Sequence, residues 1–475
     1  MQWPLLVLLW LLATVIALIM RPLLPVDETR YLSVAWEMWQ RQDFLVPYLN
    51  GATYSHKPPL LFWLVHAAWS ITGVNDWSAR LVAPVLALIV MLQSISLAQR
   101  LWPDLAVEIK TITPWLLLGG WFFILFLTLV QFDLLLTVMV LLAWQGLLLA
   151  DNQQQRGWLI TGIATGLGVL AKGPVVFLFV VPAVLLAPWW RSHDTGRSWF
   201  AGWIFSLLLA VIIALGWAIP AGLAGGEVYR DAIFWGQSAG RVVDSFAHRS
   251  PWWLYIVALP LMLLPWLLWP TIWRSLSRVG STLTEPGTKF IIAVVLPAVI
   301  IFSLISGKQP KYLLPILPLL ILLLARLLAS ASQFSNLLLT IKKITLSSAV
   351  LMMLLHLVVV PIMRPAYDLT VISQRLADLQ LQDVPVAHLG KYHGQFHYLG
   401  RLEKPVKALP FDHNEIRGWL EENPQGYLVM YDRHLALEMP ESVFNQPYRS
   451  GKLVLWPVEF LLNNPQHLDA LLANA

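Results

Sequence analysis

The chain has 475 residues, of which 57% are hydrophobic and only 12% charged, with a formal net charge of +5. A soluble domain of this length would carry about twice that charged fraction, so the composition excludes an ordinary globular protein and points to a multi-pass membrane protein. The lack of cysteine excludes disulfides and thiolate metal sites, and with neither a long basic run nor a nucleic-acid module, nucleic-acid binding is not expected.

Apolar runs near the ~20 residues that a spanning helix needs fall at roughly 3–20, 79–99, 112–128, 131–150, 157–172, 173–190, 200–219, 252–272, 289–306, 311–330 and 344–363. The first is uncharged and reaches Arg21-Pro22 without a small-residue cleavage site, so it reads as a retained membrane helix. Residues 21–78 form a first outer loop. Within it, 28–41 set Arg30, Ser33, Glu37 and Arg41 on one stripe and Leu32, Ala35, Trp36 and Trp39 on another. That pattern predicts an amphipathic helix lying along the membrane interface. Leu60 to Ile71 is apolar but too short to span, which favours an interfacial or re-entrant helix. With that segment on the surface there are eleven spans. Loops 21–78, 220–251 and 307–311, the turn near Asp133 and the Lys172-Gly173-Pro174 junction then share one face. Lysine and arginine divide evenly between the two faces, so the positive-inside rule does not fix orientation. Most of the 25 tryptophans suit interfacial belts. Beyond Pro361 the chain turns polar. Period-2 runs at Val384–Leu389, Tyr427–Tyr431 and Lys452–Leu455, with helical patterns near 367–380 and 412–421, predict a soluble α+β domain over 364–475 after a membrane domain over 1–363.

The polar residues concentrate in motifs at the ends of these runs, and charge near a bilayer tends to mark function. Asp27-Glu28 reads equally as a helix N-cap with dipole-stabilising acids or as a general base at the membrane surface. Tyr54-Ser55-His56-Lys57-Pro58-Pro59 is either a turn with a snorkelling lysine or a rigid ammonium set where a lipid phosphate arrives. Asp133 after Gln131-Phe132 reads first as an N-cap and second as a site residue. Lys172 is a helix-end lysine or a phosphate contact. Arg241, His248 and Arg249, in a loop that begins with Phe234-Trp235, exceed what interfacial anchoring requires. Lys308, Lys311 and Tyr312 form a basic turn that would also seat a diphosphate or phosphosugar. His56 and His248 are the candidate ligands for a divalent metal ion, without metal-type spacing. His388, His393 and His397 read as a solvated face.

Taken in order, these motifs resemble the GT-C class of integral-membrane glycosyltransferases. They resemble more narrowly the bacterial aminoarabinose transferase (ArnT-like) and protein-mannosyltransferase-like family. The carrying features are Asp-Glu-x-Arg-Tyr at 27–31, Tyr-x-x-Lys-Pro-Pro-Leu at 54–60, Asp133, Lys172-Gly173-Pro174, the Phe-Trp…Arg…His loop and Lys-x-Pro-x-Tyr-x-x-Pro at 308–315. They cover about 1–363. The resemblance implies a polytopic all-α membrane domain of about 11–13 transmembrane helices with a trailing periplasmic domain. It also implies inverting transfer from a polyprenyl-phosphate sugar donor to a lipid, glycan or protein acceptor, at the outer face of the bacterial inner membrane. On it, Asp27 resembles the catalytic carboxylate, with Glu28 in support. Arg30, Lys57, Lys172, Arg241, Lys308, Lys311 and Tyr312 resemble donor-phosphate ligands, and Tyr31 and Tyr54 line the donor pocket. The chain departs from the pattern at His56, where relatives often carry an acid that helps hold a divalent ion. A transporter or flippase of a lipid-linked or phosphorylated sugar is the rival class, and would place its charges at mid-membrane on broken helices.

Overall fold

The computed structural model describes residues 3–191, 193, 195–236, 250–330, 333–432, 440 and 443–473. The chain forms two compact units. One comprises Met1–Leu18 with Ser55–Leu355, the other Ile19–Tyr54 with His356–Ala475. The first half of the outer loop therefore groups with the C-terminal residues, where the sequence reading kept residues 21–78 with the membrane domain and began the second domain at 364.

The first unit is a multi-pass helical bundle, as expected where lipid offers no partner for backbone polar groups. Among the described residues, seven helices are long and apolar enough to cross a membrane, and an eighth if the pair Pro103–Gly119 and Trp121–Leu127, bent by 71°, counts as one span. Eleven runs were expected, and the difference lies in helix breaks. The 252–272 run is interrupted into Leu254–Met262, Trp266–Leu268 and Pro270–Leu276, because Pro265 and Pro270, at the two breaks, lack the amide hydrogen that a continuous helix needs. Likewise 173–190 is broken near Leu186, while the run at 157–172 forms the short helix Arg156–Lys172, of 17 residues. The apolar segment at 60–71 forms α3 (Leu60–Thr72, following α1, Trp3–Met20, and α2, Asp27–Arg41), and is shorter than a span, as expected.

After α4 (Asp76–Leu101), α5 (Ala106–Gly119) and α6 (Trp121–Leu127) come α7 (Phe132–Asp151) and α8 (Arg156–Lys172), which pack closely side by side. A Cβ at Gly146 would stand 2.4 Å from Thr161 Oγ1, so glycine is what lets the two backbones approach. The short 152–155 connection makes the pair antiparallel and brings the start of α7 beside the end of α8.

In the second unit, strands β1 (Tyr48–Leu49) and β2 (Ala52–Thr53) form a hairpin. The C-terminal residues build a sheet of β3 (Val386–Leu389), β4 (Lys407–Leu409), β5 (Tyr427–Asp432), β6 (Phe444–Tyr448) and β7 (Gly451–Pro457), in the order β4-β3-β5-β7-β6. The β3 strand runs parallel to β4 and β5; β7 runs antiparallel to β5 and β6. Alternation along the strands covers both faces. Ala387, Leu428, Val454 and Trp456 pack with Ile416 and Leu420 of helix His413–Glu422. Val386, Val429, Leu453 and Leu455 pack with Ile372 and Leu376 of helix Thr370–Leu381. Three period-2 runs and both helical patterns thus match the sequence reading, which missed β4 and β6.

The amphipathic helix α2 is present, but its polar stripe is only partly solvated: Arg41 is exposed, whereas Ser33 and Glu37 are buried. Ser33 is buried, and its Oγ accepts the Tyr398 N–H at 3.0 Å, while the Trp36 indole N–H donates to the Leu402 carbonyl at 3.1 Å. Ser33 from the polar stripe and Trp36 from the apolar one thus both meet the C-terminal residues, which offer backbone partners that lipid lacks.

The three histidines do not form a solvated face either. His388 and His397 are buried, and desolvation pushes both pKa values down to about 4. The Tyr392 hydroxyl sits 2.8 Å from His397 Nδ1. An unfolded chain takes up protons on these rings near pH 6.5, whereas the folded one does so only near pH 4. Stability is therefore complete above the unfolded value and is lost as pH falls through this window, by on the order of 3 kcal/mol per ring. Hydrogen exchange on the full chain is expected to show β3 and β5 losing protection between pH 6.5 and 4; equal protection at both ends of that range would contradict the assignment.

Candidate functional site

In the first unit, four of the motif residues converge where helices end. Gly173, at φ +80°, terminates α8 and leaves Lys172 as its last residue, since only glycine adopts that turn without strain. Asp133 occupies the first turn of α7. Lys172 Nζ meets Asp133 Oδ1 at 2.5 Å, with both side chains largely buried. The expectation that Asp133 caps its helix is not met: the cap residue is Gln131, and the Asp133 carboxylate takes the lysine instead. The same ammonium lies 4.5 Å from the Tyr312 ring centroid, and Lys57 Nζ lies 5.6 Å from the ring of Phe132. Tyr312 and the half-buried Lys311 sit on the turn Pro310–Ile316. Behind them Phe302 packs between Tyr312 and Tyr255, and the Tyr255 hydroxyl donates to the Gln309 carbonyl at 3.1 Å. Sequence reasoning missed Tyr255, whose polar role is invisible in an apolar run.

Lys308 belongs to a different arrangement. It is buried, and its ammonium donates to the Ser303 carbonyl at 2.6 Å, near the C-terminal end of helix Pro286–Leu304. A cation there satisfies the helix end. His56 is exposed, and Arg241, His248 and Arg249 lie outside the described residues. Among the described residues, no three His, Cys, Asp or Glu side chains come together in a way that could hold a metal ion.

The second unit holds the acidic motif. Glu28 is fully buried, and both its oxygens are taken by the Arg21 guanidinium, one across 3.2 Å and the other more tightly. The Leu24 N–H also donates to it at 3.0 Å. Glu28 is thereby an internal strut of the turn before α2, and Arg21 is the partner that sequence reasoning missed. Asp27 has the opposite environment. Its side chain is 36% exposed, and Arg30 reaches it at 2.9 Å. Burial draws the Arg30 pKa down, but Tyr54, Tyr31 and Asp27 around it raise it by more. Tyr31, beneath the Arg30 guanidinium, and Tyr54 are both buried. The half-buried His393 also faces this group. Burial, then Arg30, Lys391 and Arg449, push its pKa down against the pull of Asp27. His393 and Arg449 come from distant sequence, and no spacing signal ties them to Asp27.

Each unit thus carries one chemical capability. The first presents ammonium groups beside aromatic rings in a low-dielectric setting, where an ammonium attracts an anion more strongly than it would in water. The second presents an accessible, oriented carboxylate that can accept a proton.

The family described as dolichyl-phosphate-mannose-protein mannosyltransferase matches residues 56–220. A protein of Pseudomonas savastanoi pv. phaseolicola named undecaprenyl phosphate-alpha-4-amino-4-deoxy-L-arabinose arabinosyl transferase is 26% identical over 357 residues, 72% of this chain and 64% of that protein. Its namesake from Enterobacter sp. is 29% identical over 314 residues, 63% of this chain and 54% of that protein. The chain therefore spans under two thirds of the length of these relatives. In fold it is similar to ArnT from Cupriavidus metallidurans bound to undecaprenyl phosphate, with a TM-score of 0.74 at 17% identity over 95% of this chain and 97% of that one. The archaeal oligosaccharyltransferase AglB from Archaeoglobus fulgidus follows at 0.55 and 13% identity, over 90% and 69%. The GT-C, ArnT-like resemblance carried by the motifs is borne out in sequence and in fold.

The adjacent acids are expected to separate in a stability measurement. Glu28→Gln leaves Arg21 buried without its counter-charge and is expected to cost about 3–5 kcal/mol. Asp27→Asn removes a half-exposed pair and is expected to cost under about 1 kcal/mol. Thermal unfolding of the purified variants checks this, and equal losses would overturn the distinction.

Proposed function

We propose that this ArnT-like protein of GT-C fold is a membrane glycosyltransferase. It moves a sugar, with inversion, from a polyprenyl-phosphate donor to an acceptor hydroxyl or phosphate oxygen. The observation that carries the reading is the convergence of Lys57, Asp133, Lys172 and Tyr312 at helix ends. A transporter would set such charges at mid-membrane on broken helices, so their position favours the enzyme. The names of the relatives specify an undecaprenyl-phosphate-linked donor, which supports the donor class.

Chemically, the acceptor oxygen attacks the anomeric carbon, the bond from that carbon to the phosphate oxygen breaks, and polyprenyl phosphate departs. Negative charge builds on the phosphate as it leaves. Lys57, Lys172 and Lys311 stabilise that charge, and the Tyr312 ring and Asp133 hold Lys172 in place. The acceptor's proton passes to Asp27, which Arg30 orients, while Glu28 supports the turn from beneath. Tyr31 and Tyr54 shape the surroundings of Arg30, and Lys308 supports the neighbouring turn. The roles of Arg241, His248 and Arg249 as further donor contacts rest on the motif alone. On this reading the enzyme lies in the bacterial inner membrane, with the acidic motif and the C-terminal domain on the periplasmic side.

With purified full-length protein and a polyprenyl-phosphate sugar, Asp27→Asn is expected to lower turnover by about 10²–10⁴-fold and Lys172→Met by about 10²–10³-fold. Near-normal turnover in both variants would overturn the reading.

A further inference from the structure

The second unit contains an unbroken mechanical path from the helix that bears Asp27 to the C-terminal sheet. It starts at Glu37 on α2, which is buried and whose Oε1 accepts from Arg41 at 2.8 Å and from the Gly51 N–H at 2.9 Å. Gly51 sits at the hairpin tip with φ +81°, and a Cβ there would stand 2.8 Å from Pro405. Beside it Asn50 makes a two-way amide clasp with Val406: its Nδ2 donates to the carbonyl at 2.9 Å, and its Oδ1 accepts the N–H at 2.8 Å. Val406 immediately precedes β4, whose pairing with β3 leads into the centre of the sheet. Two further ties hold α2 along its length, Trp36 to Leu402 at 3.1 Å and Ser33 to Tyr398 at 3.0 Å. Arg449 reaches the Pro25 carbonyl, just before the helix, at 3.4 Å.

A half-exposed ion pair does not by itself fix where Asp27 points, because such pairs contribute little and leave side chains free to move. A docked helix does, and displacement of about 1 Å at a reacting group can cost on the order of 10²-fold in rate. We propose that the C-terminal domain is a cradle that fixes the Asp27-bearing helix, and that Asn50 and Trp36 are positioning residues of the glycosyl transfer. This rests on the assignment of Asp27 as the proton acceptor. Neither residue touches substrate; both act by holding α2 against the C-terminal sheet.

Trp36→Phe removes the indole N–H and keeps an aromatic ring; Asn50→Ala removes the clasp. Both are made in the full-length chain and compared by steady-state kinetics and by hydrogen exchange over residues 27–54. Each variant is expected to lose about tenfold or more in kcat while the KM for the polyprenyl-phosphate sugar stays within twofold, and to exchange faster along α2 than wild type. Unchanged exchange together with unchanged kcat in both variants would overturn the proposal. So would a loss of kcat matched by an equal rise in donor KM. Asp27→Asn, run alongside, keeps the two ideas apart: if it retains turnover, the assignment of Asp27 fails, whereas the exchange measurement still decides whether the clasp holds the helix.

Discussion

A lysine buried at the end of an apolar helix needs a partner for its charge, and much of the first unit is organised around how Lys172 finds a carboxylate. Burying an ammonium alone is costly, and pairing with a carboxylate in a low-dielectric setting offsets the cost only when geometry is good. Gly146 lets α7 and α8 approach, their antiparallel course brings Asp133 opposite Lys172, and Gly173 ends α8 at the right residue. Once the pair forms, its ammonium lies against the Tyr312 ring, which ties in the turn after helix Pro286–Leu304. An arriving phosphate would meet a lysine already held in place, so little ordering entropy remains to be lost on binding.

The second unit handles its charges by separating two adjacent acids. Glu28 is enclosed with Arg21, and its rigidity supports the turn that Asp27 extends from. Asp27 keeps solvent contact and an ion pair with Arg30. Neighbours in sequence thus serve different purposes because one side chain points into the protein and the other out of it. The C-terminal sheet supplies the frame, and the hairpin and α2 fasten to it by backbone-directed hydrogen bonds that do not depend on side-chain charge.

Much of this was legible in the sequence. Lys57, Asp133, Lys172 and Tyr312 were picked out because polar residues at the ends of apolar runs are rare, and period-2 alternation marked β3, β5 and β7. What stayed hidden has physical causes. The amphipathic pattern of 28–41 shows that one stripe needs polar partners but not whether lipid headgroups or a folded domain supply them, so the docking of Ser33 and Trp36 was not foreseeable. Hydropathy averages over prolines, so the run at 252–272 looked continuous although Pro265 and Pro270 divide it. Asp133 carries the same local signal as an N-cap, and only its partner 39 residues later distinguishes the two. His393 reaches Arg30 and Asp27, and Arg449 reaches His393, through tertiary structure alone.

The central claim is that the lysines of the first unit hold the lipid phosphate while Asp27 serves the acceptor. It is tested most directly by equilibrium binding of sugar-free polyprenyl phosphate to purified wild-type protein, Lys172→Gln and Asp27→Asn. Loss of one charge-assisted contact predicts binding weakened about tenfold or more for Lys172→Gln, with wild-type affinity for Asp27→Asn. Undiminished binding by Lys172→Gln, or a matching loss in Asp27→Asn, would contradict this division of labour.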